Sequence, residues 1–214
     1  MTHSHPSNVH ATSHPHPSVG SLQIDGARVI DPAQDRDAIL SVCIENGQIL
    51  AVGEIPAGFQ PERRIHAAGH WLFPGLVDLC AHLREPGQEH KATIASETLA
   101  AASGGITTLV VPPDTDPVVD SPAEVELLYR RAAEACGVRV KVIGSLTRGL
   151  RGDQLAEMAI LQRAGVVAVS NARHPLASAM VLRRALEYAA TFDLLVMLPA
   201  QDASLAASGC MHEG

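Results

Sequence analysis

No run of apolar residues in this chain approaches the ~18 that a membrane-spanning helix requires, so a helical membrane protein is not expected. The N-terminus lacks a basic stretch followed by an apolar one, so no secretory signal is expected either. The cysteines are few and scattered. Cys43, Cys80, Cys136 and Cys210 show neither metal-binding nor disulfide spacing, which fits reduced thiols in the cytoplasm. Basic charge is in deficit, with 16 Lys and Arg against 23 Asp and Glu and a formal net charge of −7. That balance argues against nucleic acid or an anionic membrane as partner. Charged residues are 18% and aromatics only 3%, yet 46% of the residues are hydrophobic, too many for a disordered chain. The 214 residues suit one large domain, or a domain with a small appendage, and suffice for a core.

What the chain does have is histidine, eleven in all. Five of them (His3, His5, His10, His14, His16) sit among Ser, Thr, Asn and Pro in the first sixteen residues. Residues 1–19 therefore read as a disordered His-rich tail, solvated or at most a weak metal binder through its imidazoles. Six histidines remain for the folded part.

Residues 20–70 read as a small β domain and linker. Short runs Leu22-Gln23-Ile24 and Ala27-Arg28-Val29-Ile30 flank Asp25-Gly26. Ser41-Val42-Cys43-Ile44 and Ile49-Leu50-Ala51-Val52 flank Glu45-Asn46-Gly47-Gln48. Asn-Gly between apolar runs predicts a hairpin, because both central turn residues need positive φ. Residues 56–64, rich in Gly, Pro and charge, read as the linker.

From Trp71 onward the rhythm becomes strand, helix, strand. Buried strands are predicted at residues 76–80, 106–111, 138–143, 166–170 and 194–198, with helices at 93–103, 122–136, 154–164 and 179–191. Ser121-Pro122-Ala123-Glu124 supplies an N-cap, a first-position proline and a glutamate three residues on. Strand centres about thirty residues apart, with continuous apolar strands, indicate parallel βα units buried on both faces. Such units build either an open doubly wound sheet or part of a (β/α)8 barrel, and no Gly-x-Gly-x-x-Gly follows the first strand. The expected architecture is α/β: the first five βα units of a TIM-type barrel behind the small β domain. Residues 71–214 would then be a partial barrel, an N-terminal fragment of a longer chain.

Functional residues of parallel α/β folds collect at the C-terminal strand ends. Those ends read Asp78-Leu79-Cys80-Ala81-His82-Leu83-Arg84-Glu85-Pro86-Gly87, Pro112-Pro113-Asp114, Gly144-Ser145-Leu146-Thr147-Arg148-Gly149, Ser170-Asn171-Ala172-Arg173 and Pro199-Ala200-Gln201-Asp202. With Pro74-Gly75-Leu76-Val77-Asp78, Gly104-Gly105-Ile106-Thr107-Thr108 and Met211-His212-Glu213-Gly214, this ordered series resembles the dihydroorotases of the amidohydrolase superfamily. The likeness spans residues 20–214, and the small β domain is similar to the one that precedes the barrel in that superfamily.

The resemblance implies a divalent-metal site that activates water for hydrolysis of a cyclic amide. Its ligand positions here are Cys80 and His82 in place of His-x-His, Asn171 in place of a bridging Asp, and Pro199 in place of a His. Ala172 and Arg173 replace that Asp's usual neighbours, so a fixed cation stands where metal charge would be. Cys80 reads either as a soft ligand or as a small buried residue of an apolar strand. His82 reads as a retained strand-end histidine, hydrogen-bonded, or as a remaining ligand. Two substrate positions are implied: Arg84, for a carboxylate, and Asp114, where the family has Asn and an acid would repel an anion. His174 and His212 read as loop residues, and His66, His70 and His90 have no pairing at ligand spacing.

With three of four ligand positions altered, no metal and no cofactor are expected, zinc entering only if an active hydrolase is the right reading. Closest in pattern are the non-catalytic dihydroorotase-like chains that partner aspartate carbamoyltransferase in some bacteria, a likeness that includes residues 185–194. The resemblance then implies a cytoplasmic, homo-oligomeric scaffold for the transcarbamoylase catalytic chain in pyrimidine synthesis. The competing reading is an active cyclic amidohydrolase, and a third is a metal-buffering protein acting through its tail.

Overall fold

The computed structural model describes residues 20–135 and 137–200. It divides into two compact units between Gly75 and Leu76. The expected tail, Cys136, Gln201, Asp202, Cys210 and the segment Met211-His212-Glu213-Gly214 lie outside the described residues.

The first unit is a small mixed sheet in the order β3-β2-β1-β4, with β5 also on β1. Its strands are β1 (Leu22–Asp31), β2 (Arg36–Glu45), β3 (Gln48–Val52), β4 (Arg63–His66) and β5 (Trp71–Leu72). The Asn46-Gly47 turn joins β2 to β3 with φ of 51° and 76°, the paired positive values that tight hairpins need. Asp25-Gly26 does not divide two strands. It forms a bulge within the single strand β1, where the register steps from Ile24↔Val42 to Ala27↔Leu40. Ser41, the residue opposite the bulge, donates its hydroxyl to Asp25 Oδ1 at 2.8 Å, and Gln23 Nε2 donates to the same oxygen at 2.7 Å. These two bonds, aided by Arg64, hold the Asp25 carboxyl below its ordinary range. The expected linker also ends earlier than its composition suggests, because Arg63–His66 and Trp71–Leu72 both pair in parallel with β1.

The second unit is a curled parallel sheet of β6 (Leu76–Asp78), β7 (Ile106–Val111), β8 (Arg139–Ser145), β9 (Ala168–Ser170) and β10 (Leu195–Met197). Its spatial order is β10-β9-β8-β7-β6, so each strand lies beside its neighbour in sequence with no switch of direction. That order separates the two architectures left open by the sequence. A doubly wound sheet reverses its strand order, whereas this is the winding of a half-barrel.

The helices α1 (Ile94–Ser103), α2 (Pro122–Ala135), α3 (Met158–Ala164) and α4 (Ala179–Thr191) supply one side of the main core. Strand residues Leu109, Val111, Val140, Val142 and Val169 alternate outward to meet them, together with Ile94, Leu128, Leu161 and Ala185. The opposite face carries a smaller cluster of Val110, Ile143 and Ala168, against which Met197 packs.

Several boundaries differ from expectation by one or more residues, and three of the shifts have local reasons. Helix α3 starts at Met158 rather than 154, because backbone groups of residues 154–156 pair with residues 146–148. Strand β9 starts at Ala168, since the Val166 N–H is used by Leu161 at the end of α3. Strand β6 stops at Asp78, whose Oδ1 accepts the Cys80 N–H at 2.9 Å. Among the described residues, no helix is long and apolar enough to cross a membrane.

Candidate functional site

The C-terminal ends of β6 to β10 bear the loops from which a site must be built. The loop after β6 is fastened at both ends. Thr93 caps α1 in a capping box: its Oγ1 accepts from Ser96 N at 3.2 Å, while Ser96 Oγ accepts from Thr93 N at 3.0 Å. Glu85 adds a second cap, accepting the Ile94 N–H at 2.7 Å, and its other oxygen meets Arg131 of α2. One carboxylate thereby joins the loop carrying His82 and Arg84 to two helices, and it also lies near the positive end of the α1 dipole. Further out, the backbone N–H groups of Glu89 and Gly87 hold the exposed Glu89 carboxyl below its usual range.

The loop after β7 lies against this one. Asp116 N donates to Pro86 O at 3.2 Å, and Gly87 has φ of +102° with the Asp116 backbone directly beside it. A Cβ at position 87 would stand 2.5 Å from Asp116 Cβ, so only glycine permits this approach. At the start of α2, Ser121 Oγ accepts from Ala123 N at 3.3 Å and donates to Glu124 Oε2 at 2.5 Å. The predicted cap is present, with the glutamate holding the serine hydroxyl.

The loops after β8 and β9 are joined through Asn171. This side chain is fully buried; its Oδ1 accepts from Thr147 Oγ1 at 2.5 Å, and its Nδ2 donates to His174 O at 3.0 Å and Leu150 O at 3.4 Å. Thr147 Oγ1 in turn accepts the Gly152 N–H at 2.9 Å. The amide is saturated by its own loops.

A cleft of about 260 Å³ opens at these strand ends, lined by Cys80, His82, Asp114, Arg173 and Pro199 among others. Leu79, Ile143, Met197 and Leu198 supply its apolar wall. A smaller groove beside it is shared by His82 and Asp114 and contains Arg84. His82 Nδ1 stands 3.8 Å from Asp114 Oδ1, and both side chains are about one-third exposed (29% and 31%). An ion pair forms there when the imidazole is protonated.

The structure therefore brings together Cys80, His82, Asp114 and Pro199, leaves Arg84 in the adjoining groove, and draws Asn171 into the loop scaffold. Cys80 is exposed, which differs from the expected small buried residue. The regular strand β6 ends at Asp78 and the Cys80 N–H turns to the Asp78 side chain, although Ala81 N still bonds Val110 O of β7 at 2.9 Å. Sequence reasoning passed over Glu85, Arg131 and Thr147 as functional supports. Glu85 and Thr147 stand within the strand-end segments, but Arg131 is 46 residues from its partner and carries no local signal.

The donors present do not fit a divalent metal site. Proline at 199 has no ligating side-chain atom, Asn171 is a neutral amide whose polar atoms are already bonded, and Arg173 brings a positive charge into the cleft. Among the described residues, no group of three or more His, Cys, Asp and Glu side chains is arranged to hold a metal ion.

Comparison with known proteins agrees with the fold. A family described as "Dihydro-orotase-like" matches residues 69–214. The chain is 52% identical over 194 residues to a "Dihydroorotase-like protein" of Pseudomonas aeruginosa, covering 91% of this chain and 46% of that protein. It is 43% identical over 193 residues to a "Dihydroorotase" of Anaeromyxobacter sp. (strain K), covering 90% of this chain and 45% of the relative. The chain thus spans about half the length of these curated relatives. In fold it is similar to an L-hydantoinase (dihydropyrimidinase) from Arthrobacter aurescens, with a TM-score of 0.74 at 19% identity over 87% of this chain and 42% of that one.

Proposed function

This chain belongs to the dihydroorotase-like family, and from that premise we propose that it is a non-catalytic member serving as an assembly subunit for aspartate carbamoyltransferase in pyrimidine biosynthesis. The observation that carries the non-catalytic part is Asn171. At the position where the resemblance calls for a metal-bridging carboxylate, a buried amide ties two loops together through Thr147, Leu150 and His174. Pro199 and Arg173 support the same reading, since one cannot ligate and the other repels a cation.

What is retained supports a scaffold role. The half-barrel core and the small sheet keep their packing without the ligand set, so the fold can still present a surface after its chemistry is lost. The partner, the aspartate carbamoyltransferase catalytic chain, rests on the likeness to non-catalytic dihydroorotase-like chains, as do the cytoplasmic setting and the homo-oligomeric state. In this reading no metal or other cofactor is required.

The second reading is an active metal-dependent cyclic amidohydrolase, favoured by the presence of Cys80 and His82 in one cleft. Zinc content and dihydroorotate hydrolysis distinguish the two, measured on the chain with and without residues 1–19 so that tail imidazoles are not counted. The non-catalytic reading expects no zinc beyond what the tail holds and no hydrolysis. About one tightly bound zinc in the tail-free protein, with turnover of dihydroorotate, would establish the hydrolase instead.

A further inference from the structure

One face of the small sheet carries an exposed patch with no part in the strand-end cleft. Three side chains stand there in a row across three strands. Ile39 of β2 lies opposite Arg28 of β1, and Arg28 pairs in register with Trp71 of β5. Ile39 is 76% exposed and Trp71 66%. Asp37, two residues from Ile39 along β2 and on the same face, accepts from Arg28 Nε at 2.6 Å and from Arg28 Nη2 at 2.7 Å. The guanidinium held in this way lies over the indole of Trp71, 5.8 Å from the ring centroid.

A tryptophan and an arginine ordered beside an exposed isoleucine have the composition of an interface centre, and their restraint lowers the entropy lost on docking. The charges select the partner. One cation and one anion side by side favour neither an acidic nor a basic surface, but they complement an inverted copy of themselves. A two-fold axis lying along the face, across the strands at the level of Val29, sets Arg28 of each copy beside Asp37 of the other. Each charge keeps its own partner and gains a second, so none is buried unpaired. The same rotation brings the two Trp71 rings side by side and lays each Ile39 under the opposite sheet.

We propose that this face of the small sheet is a two-fold interface between copies of this chain, centred on Arg28, Asp37, Ile39 and Trp71. The inference rests on the homo-oligomeric part of the proposed function and gives it a surface. Four anchoring side chains per copy are fewer than a permanent interface engages, so the association is concentration-dependent, with an expected Kd of about 1–100 μM.

The test is sedimentation equilibrium of the 214-residue chain from about 1 μM to about 1 mM. Trp71 is the only tryptophan in the sequence, so its fluorescence reports on this face alone. As the dimer forms, its emission is expected to move to shorter wavelength and its quenching by acrylamide to fall. Arg28→Asp and Asp37→Arg are each expected to weaken self-association about tenfold or more, because like charges then meet across the axis. Mixed together, the two variants are expected to associate, the doubly acidic patch of one meeting the doubly basic patch of the other. Misfolding of either variant cannot give that rescue, and Arg183→Gln on α4 should change nothing. A dimer whose Trp71 stays equally open to acrylamide, or that survives both charge reversals, overturns the proposal and leaves the homo-oligomeric reading standing. So does the absence of association when the two folded variants are mixed. A monomer throughout the range overturns the homo-oligomeric reading as well. If the reversals abolish binding of an aspartate carbamoyltransferase catalytic chain and leave self-association intact, the face belongs to that partner and the proposal falls.

Discussion

Replacing Asn171 by aspartate would restore the residue type that the family resemblance puts at this position, and the structure expects it to damage the protein. The amide Nδ2 donates to the carbonyls of His174 and Leu150, at 3.0 and 3.4 Å. A carboxylate can donate to neither, so two hydrogen bonds vanish at about 1 kcal/mol each. The new oxygen would then face carbonyl oxygens in a site of 0% exposure, and burial of an unpaired charge adds several kcal/mol. The expected loss for Asn171→Asp is about 3–5 kcal/mol near neutral pH. The sign of its pH dependence is also set. Burial and the facing carbonyls raise the folded-state pKa of this new acid above the unfolded value of about 4. The destabilisation is therefore smallest below about pH 4 and grows as pH rises toward the folded pKa. Urea unfolding of the variant and parent at about pH 4 and pH 7 reads both effects directly. Equal stability within about 0.5 kcal/mol at both pH values, or one tightly held zinc in the variant, would refute the reasoning.

Other consequences are more local. Gly87→Ala is expected to lose about 2 kcal/mol or more, since its Cβ would meet Asp116 at 2.5 Å and its φ is +102°; thermal unfolding with faster proteolysis of residues 79–93 would report it. Arg131→Ala leaves the mostly buried Glu85 carboxylate with only the Ile94 N–H, and about 1 kcal/mol of lost stability is expected after allowing for solvent screening of the half-exposed arginine. A double-mutant cycle with Glu85→Gln isolates that coupling. In the small sheet, Asp25 has its pKa lowered by Gln23 and Ser41, so its contribution is complete above about pH 4 and disappears as pH falls through the depressed folded value. Asp25→Asn should remove that dependence, visible as a flatter curve of stability between about pH 2 and pH 5.

Much of the frame could be read from residue patterns because short-range physics decides it. Residues 106–111 and 179–191 are bounded as periodicity and composition suggest, and Asn46-Gly47 makes the expected hairpin. Where tertiary bonding competes, local signals failed. Asp25-Gly26 looks like a turn but is a bulge, because Ser41 on the facing strand supplies the bond that keeps β1 continuous. The start of α3 shifts because residues 146–148 take the backbone groups that a helix would have used. The candidate site shows the same division. The strand-end segments carrying Cys80, His82, Asp114, Arg173 and Pro199 were legible, since a parallel sheet must bring its C-terminal ends together. The inward turn of the Asn171 amide and the exposure of Cys80 were not, for the amide is held by three bonds within and between neighbouring loops, and the Cys80 N–H turns to Asp78 at the end of β6.

The proposed role of this chain is assembly on a dihydroorotase-like frame, without hydrolysis. Its most direct test is the mass of the species formed when the metal-free chain is mixed with an aspartate carbamoyltransferase catalytic chain, measured by light scattering after size exclusion. A defined complex containing both chains is expected in the presence of a chelator. Two separate peaks at every ratio, with complex formation neither before nor after zinc is added, would contradict it.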